Sequence, residues 1–290
     1  MAGPLVERLL GHARGWDRPA GVVARAVNGA FRVARPLQGL LNGTWLGHPL
    51  HPLTTDVAIG AWTVVLVFDL IGFAVPGAGL ASAAAIALWL GVLAALGSVL
   101  SGLTDWKDTY GLEQRVGFVH GFLMVLVTLL YVASGILRLS GPIDSAPGRL
   151  LGIIGFVGLI ASGYLGGEMA FGFGSMVDHN AFRDRLGPFT AVGTIADLDE
   201  GLNFVEAAGQ PILLVRQGDV VSAIGDVCSH AGGPLHEGTL EQGVVTCPWH
   251  GSRFRVTDGG VVRSPATFPQ PAYDVRVDDD GRVEVRSRRG

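Results

Sequence analysis

The two halves of the chain differ in their pattern of hydrophobic and polar positions. From about residue 189 onward, short alternating runs such as Pro211–Arg216 and Val220–Ile224 are separated by Gly, Asp and Pro and predict β-strands. Before that point, four long apolar runs each reach the roughly 20 residues of a membrane-spanning helix. They lie at Leu53–Val75, Leu80–Leu103, Val116–Leu137 and Leu150–Ala170. We therefore expect an N-terminal all-α bundle of four transmembrane helices and a C-terminal all-β domain.

Composition supports the membrane interpretation. The 290-residue chain is 49% hydrophobic with a mean hydropathy of +0.41, and the second apolar run carries no charge. Asp69, within the first run, is the exception, and such carboxylates usually face the interior of a bundle. We expect a basic amphipathic N-terminal segment at 1–46, a four-span membrane domain at 47–175, a linker at 176–188 and the β-domain at 189–290.

Arginine distribution predicts the orientation. The first connection between spans, around Pro76–Gly79, is uncharged, which places the arginine-rich N-terminus in the cytoplasm by the positive-inside rule. An even number of spans returns the β-domain to the same side. We expect a multi-pass protein of the cell (inner or plasma) membrane with a cytoplasmic β-domain. The arginines before the first span are Arg8, Arg14, Arg18, Arg25, Arg32 and Arg35.

The N-terminal segment allows two interpretations. From Pro19 to Leu40, apolar residues interleave with arginines, which suits an amphipathic helix on anionic lipid. A disordered basic tail that serves only as a topology signal fits equally well. A nucleic-acid partner is not supported, because the net charge is −4 and no stripe of aromatic and basic residues is present.

Two short motifs near the C-terminus carry the candidate chemistry. Cys228-Ser-His230 is followed after sixteen residues by Cys247-Pro-Trp-His250. Two thiolates and two imidazoles can bind zinc or a [2Fe–2S] cluster. Zinc sites usually pair Cys with Cys and His with His, whereas here each motif supplies one of each, which favours the cluster. Glycines beside the motifs allow backbone N–H groups to approach sulfur closely: Gly232, Gly233 and Gly251.

The sequences CSHAGGPL and CPWHGSRF resemble the two boxes of the Rieske family. The resemblance implies that Cys228 and Cys247 ligate one iron while His230 and His250 ligate the other. It also implies that Ser252 donates a hydrogen bond to a cluster sulfur, and that the domain transfers single electrons.

The chain departs from the respiratory members of that family at three positions. Their additional cysteines, which form a disulfide, are replaced by Gly233 and Trp249, and the chain has only two cysteines. Phe254 stands where high-potential members have a tyrosine that hydrogen-bonds the cluster. Fewer hydrogen bonds to sulfur predict a potential toward the lower end of the Rieske range of roughly −150 to +300 mV. A domain without a disulfide also suits a reducing compartment.

Three histidines of the membrane half form a possible second site: His48, His51 and His120. They could be interfacial polar residues, axial ligands of haem b (as a pair such as His51 and His120), or partners of a quinone head group. Gly47-His48-Pro-Leu-His51-Pro and the following span resemble an uncharacterised family of four-span bacterial membrane proteins over roughly residues 45–180. That family brings no established activity, and no motif separates the three interpretations.

The sequence therefore favours a membrane-anchored Rieske electron carrier rather than a stand-alone enzyme. It would relay single electrons between a cytosolic redox partner protein and a membrane redox site, either haem or quinone. The alternatives are a ferredoxin- or oxygenase-type component of an oxidoreductase system, or a sensor of redox state or iron. An oxygenase needs a mononuclear iron held by two His and a carboxylate, and we expect no domain for it. Oligomeric state and the direction of electron flow stay open.

Overall fold

The computed structural model describes residues 3–288, which form two compact units. Within the described residues, the first unit comprises residues 3–34 and Leu50–Ser175, and the second comprises Arg35–Pro49 and residues 176–288. The first is helical. The second contains one helix, α3 (Arg35–Asn42), and all of the β-strands.

The helical unit consists of two short N-terminal helices and four long ones. These are α1 (Pro4–Leu10), a 3-10 turn (Arg14–Trp16), α2 (Asp17–Val33), α4 (Leu50–Ala74), α5 (Ala81–Trp106), α6 (Gly111–Ser140) and α7 (Ala146–Gly167), which continues as a π-helical turn (Glu168–Phe173). The last four are long and apolar enough to cross a membrane, and each coincides with a predicted span. The predicted four-helix bundle is confirmed.

The four long helices form two hairpins with matching contacts. Trp62 of α4 packs against Gly91 of α5, and Tyr131 of α6 packs against Gly155 of α7. A Cβ at Gly91 would collide with the Trp62 ring, and a Cβ at Gly155 would lie 3.0 Å from the Tyr131 ring, so the glycines let the aromatic rings approach. The two rings stack on each other with centroids 4.1 Å apart and planes 5° apart. Residues at equivalent positions of the hairpin α4–α5 and the hairpin α6–α7 therefore meet at this stack.

A buried ion pair occupies the next equivalent positions. Asp69 follows Trp62 by seven residues and Arg138 follows Tyr131 by seven, and both are only 2% exposed. Arg138 Nη1 donates to Asp69 Oδ1 at 2.9 Å, and Nη2 donates to Oδ2. Arg149 Nε lies 3.8 Å from Asp69 Oδ1. Asp69, the charge that stands out in the first span, therefore faces inward and holds two helices together.

The N-terminal helices attach to the bundle through Arg115 of α6. Its Nε and Nη2 donate to the Asp17 carboxylate at 2.8 and 3.0 Å, and Nη1 donates to the carbonyl of Gly11 at 2.9 Å. The carbonyl of Leu10 accepts from the same Nη1. A single buried guanidinium thus closes the end of α1 and the start of α2 against α6.

The second unit contains two antiparallel sheets. Six strands in the order β1-β10-β9-β4-β3-β2 form the larger sheet, and β5-β6-β7-β8 form the smaller. The strands are β1 (Thr190–Thr194), β2 (Gly201–Ala207), β3 (Gln210–Gln217), β4 (Val220–Gly225), β5 (Thr239–Glu241), β6 (Val244–Thr246), β7 (Arg253–Arg255), β8 (Val261–Arg263), β9 (Ala272–Val277) and β10 (Arg282–Ser287). Two 3-10 turns lie at Ile195–Asp197 and Leu235–Glu237. The predicted all-β domain is confirmed.

Residues 176–188 pack against these sheets. Asn180 Nδ2 donates to the carbonyl of Val227 at 3.0 Å, and Leu186 N donates to Ser287 Oγ at 2.9 Å. Arg183 Nη1 donates to the carbonyl of Pro211 at 3.0 Å. The segment that the sequence suggested as a linker is thus hydrogen-bonded to the β-structure along its length.

Candidate metal centre

Two loops of the β-unit bring the Cys and His motifs together. Cys228 and His230 follow β4 of the larger sheet, and Cys247 and His250 lie between β6 and β7 of the smaller sheet. Both sulfurs belong to one buried apolar cluster that also contains Phe254. Each sheet therefore supplies one loop, and the loops meet over the shared core.

The backbone of the two loops follows one pattern. Gly232 N donates to the carbonyl of Cys228 at 2.8 Å, and Gly251 N donates to the carbonyl of Cys247 at 3.1 Å. Both glycines have positive φ, +79° and +73°, a conformation that side chains with a Cβ rarely adopt. Each turn folds the chain around its own cysteine, so the glycines that flank the motifs have a conformational role.

The two thiols are buried and contact each other. The hydrogen bond from Cys228 lowers the pKa of Cys247 to about 7, and backbone N–H groups of Trp249 and His250 act in the same direction. The same contact and burial raise the pKa of Cys228, although the N–H groups of His230 and Ala231 point at its sulfur. Each sulfur thus faces two backbone donors, a setting that stabilises negative charge on sulfur.

The two imidazoles lie side by side at the outer end of the loops. The rings of His230 and His250 have centroids 5.0 Å apart and planes at 83°. Both residues are half-buried, yet the Nδ1 atom of each is buried. The Nδ1 atoms therefore face the interior of the domain, while another part of each residue reaches the surface.

A third loop, residues 264–271, is hydrogen-bonded to both motifs. Ala266 N donates to Ser252 Oγ at 3.0 Å, and Ser229 Oγ donates to the carbonyl of Phe268 at 2.7 Å. Ser229 and Ser252 are fully buried. The Ser252 hydroxyl accepts from Ala266 and keeps its own hydrogen for a further acceptor, as the predicted bond to a cluster sulfur requires.

Gly233 and Trp249, where the respiratory Rieske proteins have a disulfide, are neighbours. A Cβ at Gly233 would lie 3.0 Å from the Trp249 ring and 3.0 Å from Cys247 Sγ. The indole thus covers the space that a second side chain would fill, and Trp249 itself is 51% exposed.

Asp226, which was not identified from the sequence, helps to hold the loop of Cys228 and His230 in place. This carboxylate is 2% exposed and accepts from His236 N at 2.8 Å, and its other oxygen lies 2.7 Å from His236 Nδ1. It therefore ties the chain before Cys228 to the 3-10 turn after it. An acidic residue two positions before Cys228 was the available signal.

The donor set fits a two-iron cluster. Two buried sulfurs with backbone donors and two buried Nδ1 atoms would supply each iron with a pair of protein ligands: Cys228 and Cys247 for one, His230 and His250 for the other. Among residues 3–288, no three His, Cys, Asp or Glu side chains converge on one point as ligands of a single ion. A binuclear cluster needs only two protein ligands for each iron. A [2Fe–2S] cluster supplies reversible one-electron chemistry.

The structure separates the three histidines of the membrane half. His51 and His120 belong to the helical unit, where the Nδ1 atom of each ring lies close to a backbone carbonyl oxygen, at 2.9 Å for His51 and 2.8 Å for His120. His48 belongs to the segment Arg35–Pro49 of the second unit, and its Nδ1 lies 3.0 Å from the carbonyl of Pro49.

Comparisons with known proteins follow the same division. Residues 189–274 match the family model of the Rieske [2Fe-2S] domain, and residues 47–179 match the family "Predicted membrane protein (DUF2231)". The chain is 37% identical over 101 residues to the anthranilate 1,2-dioxygenase ferredoxin subunit of Burkholderia cepacia, which is 34% of this chain and 93% of that protein. It is 40% identical over 84 residues to ferredoxin CarAc of Metapseudomonas resinovorans, which is 29% of this chain and 76% of that one.

A solved structure is also similar to part of the chain. The ferredoxin of carbazole 1,9a-dioxygenase from Nocardioides aromaticivorans IC177 is 32% identical, with a TM-score of 0.34, and the match covers 35% of this chain and 100% of that one. The paired Cys and His loops and the sequence identity to the ferredoxins of Burkholderia cepacia and Metapseudomonas resinovorans lead to one conclusion. The chain belongs to the Rieske [2Fe-2S] family, and its cluster-binding domain follows, along the sequence, a four-helix domain of the DUF2231 type.

Proposed function

We propose that this protein is a membrane-anchored one-electron carrier that connects a soluble redox partner protein to a redox site in the membrane. The observation that carries the proposal is the presence in one chain of the Cys and His loops and of four helices long enough to cross a membrane. The first provides a one-electron centre, and the second provides attachment to the compartment where quinones and membrane haems reside.

The surface beside the imidazoles suits a protein partner. His230 and His250 are half-buried, and Trp249, half exposed, lies 6.4 Å from the His250 ring between centroids. Aromatic side chains of this kind are enriched where proteins bind each other. A partner that docks over Trp249 would bring its own redox group close to the two histidines.

A second candidate function is that of the ferredoxin component of an oxygenase system. The similarity to a dioxygenase ferredoxin subunit favours it, since the match spans nearly all of that protein. In this case the soluble partners would be a reductase and an oxygenase, and the helices would only hold the carrier at the membrane.

We further propose that the Rieske domain lies in the cytoplasm. The argument rests on six arginines before the first span and on a domain whose only two cysteines are the sulfur ligands. Protease added to spheroplasts should spare the domain, and protease added to inverted vesicles should release it. Release from spheroplasts would contradict the orientation.

The central experiment follows the cluster in isolated membranes. A flavin reductase with NADH should reduce it, giving the electron paramagnetic resonance signal of a mixed-ligand [2Fe–2S] cluster, and an added quinone should reoxidise it. The variant Cys247→Ser should show no signal, while Trp249→Ala should keep the signal and slow reduction by the partner. A colourless protein with stoichiometric zinc and no acid-labile sulfide would overturn the proposal. Reoxidation only by an oxygenase component would favour the second candidate.

A further inference from the structure

The imidazoles of His51 and His120 are held in the same way. Nδ1 of His51 on α4 lies 2.9 Å from the carbonyl oxygen of Ser98 on α5, and Nδ1 of His120 on α6 lies 2.8 Å from the carbonyl oxygen of Ser162 on α7. A carbonyl oxygen can only accept, so Nδ1 carries the hydrogen in both rings. The lone pair of each imidazole is therefore on Nε2.

The neighbouring helix also makes room for each ring with a glycine. A Cβ at Gly102 of α5 would lie 2.7 Å from the His51 ring, and a Cβ at Gly166 of α7 would lie 3.2 Å from the His120 ring. In each case the glycine follows the serine whose carbonyl accepts the hydrogen bond, Ser98 or Ser162, by four residues, about one helical turn. Each histidine ring thus packs into a notch that a Ser-x-x-x-Gly sequence of the neighbouring helix forms. We call this notch the imidazole seat.

The two histidines lie at the same spacing from the aromatic stack along their own helices. His51 precedes Trp62 by eleven residues, and His120 precedes Tyr131 by eleven. Eleven residues are about 16 Å of helix, so both imidazoles lie at one depth, well away from the stack. The helices that carry the two rings, α4 and α6, contact each other at the aromatic stack, and both histidines are half-buried.

This arrangement has the features of a two-ligand metal site. A histidine that binds a metal usually donates its other ring N–H to a carbonyl or carboxylate, which fixes its tautomer and orientation. Within residues 3–288 no third His, Cys, Asp or Glu joins such a pair to hold a bare ion. Haem iron brings four nitrogens of its own and needs only two axial ligands, which imidazoles can supply.

We propose that His51 and His120 are the axial ligands of a b-type haem between the two hairpins of the membrane domain. This inference rests on the proposed function in that it names the membrane redox site. The binding site itself stands on the two imidazole seats, without reference to the cluster. A quinone is the less suitable occupant, because the carbonyls of Ser98 and Ser162 already take the Nδ1 hydrogens that a quinone oxygen would need.

The full chain, purified from membranes of cells supplied with a haem precursor, provides the test. His51→Asn and His120→Asn remove Nε2 but keep an amide N–H near the position of Nδ1, so the contact with the neighbouring helix can persist. His48→Asn is the matched control, since His48 also precedes a proline and belongs to the other unit. Haem is measured as the pyridine haemochrome and by its reduced optical spectrum, and the cluster is measured separately as acid-labile sulfide.

We expect stoichiometric low-spin haem in the wild type and in His48→Asn. In His51→Asn and His120→Asn the six-coordinate spectrum should be lost, with the labile sulfide unchanged. Full sulfide without haem in the wild type, with or without an extractable quinone, would overturn this inference and leave the electron-carrier proposal intact. Low-spin haem that persists in both Asn variants would also overturn it. Should those variants not accumulate, near-infrared magnetic circular dichroism of the wild type decides, because it identifies bis-imidazole ligation directly.

Discussion

Substitution of Ser252 by alanine tests the predicted hydrogen bond to the cluster. The hydroxyl is fully buried and accepts the N–H of Ala266 at 3.0 Å, while its own hydrogen remains for a sulfur. Ser252→Ala removes both interactions at once. Because a hydrogen bond to sulfur stabilises the more negative, reduced cluster, its loss should lower the reduction potential.

The two lost interactions give separate magnitudes. A net hydrogen bond contributes about 0.5–1.5 kcal/mol, which for a one-electron couple corresponds to a fall of about 20–65 mV. The Ala266 N–H, left buried without an acceptor, should reduce the free energy of unfolding by about 1–3 kcal/mol. Protein-film voltammetry measures the first quantity, and thermal or chemical denaturation of the Rieske unit measures the second.

Ser229 offers a matched control. It is equally buried and lies beside Cys228, but its hydroxyl donates to the carbonyl of Phe268 at 2.7 Å and has no hydrogen left for sulfur. Ser229→Ala should therefore destabilise the domain without lowering the potential. Equal potential shifts in both variants, or no shift in Ser252→Ala with its cluster intact, would refute the assignment of Ser252 as a donor to sulfur.

Three further predictions follow from named contacts. Phe254→Tyr, which adds a hydroxyl in the core that holds both sulfurs, should raise the potential by about 20–65 mV in voltammetry; an unchanged potential would refute this. Asp69→Asn leaves Arg138 buried without its charge partner and should lower the free energy of unfolding in detergent by about 3–5 kcal/mol, whereas a wild-type unfolding curve would contradict a supporting role. Hydrogen bonds from Arg286 hold the pKa of Asp274 below its usual range, so this carboxylate stabilises the fold above about pH 4 and loses that effect in acid. The stability difference between wild type and Asp274→Asn in melts across pH should shrink as the pH falls below about 4 and disappear only below the depressed pKa of Asp274, with the turn variant Asp279→Asn as control.

Local patterns were sufficient to predict the elements of the fold. The four apolar runs became helices because a chain in lipid must satisfy its backbone within each segment, so length and hydropathy alone predict a span. The runs Pro211–Arg216 and Val220–Ile224 became β3 and β4 because alternation fits a strand with one buried face. The Cys and His motifs were readable because ligand type and spacing are local properties of each loop.

Helix pairing could not be predicted in the same way. Arg138 lies near the end of its apolar run, and nothing in the sequence alone showed that it would neutralise Asp69 rather than reach the membrane surface. The contact depends on which faces of α4 and α6 meet, a property of the folded bundle. Equal spacing from each histidine to an aromatic residue, His51 to Trp62 and His120 to Tyr131, was the signal of the two equivalent hairpins.

The ion pair between equivalent positions of the two hairpins has a consequence for how such a bundle arises. If the two hairpins were separate identical chains, the positions of Asp69 and Arg138 would carry the same side chain, and like charges would meet in a medium that cannot screen them. Fusion into one polypeptide removes that constraint, because each copy can change independently. An acid in one half and a base in the other then favour their mutual association over the pairing of either half with itself.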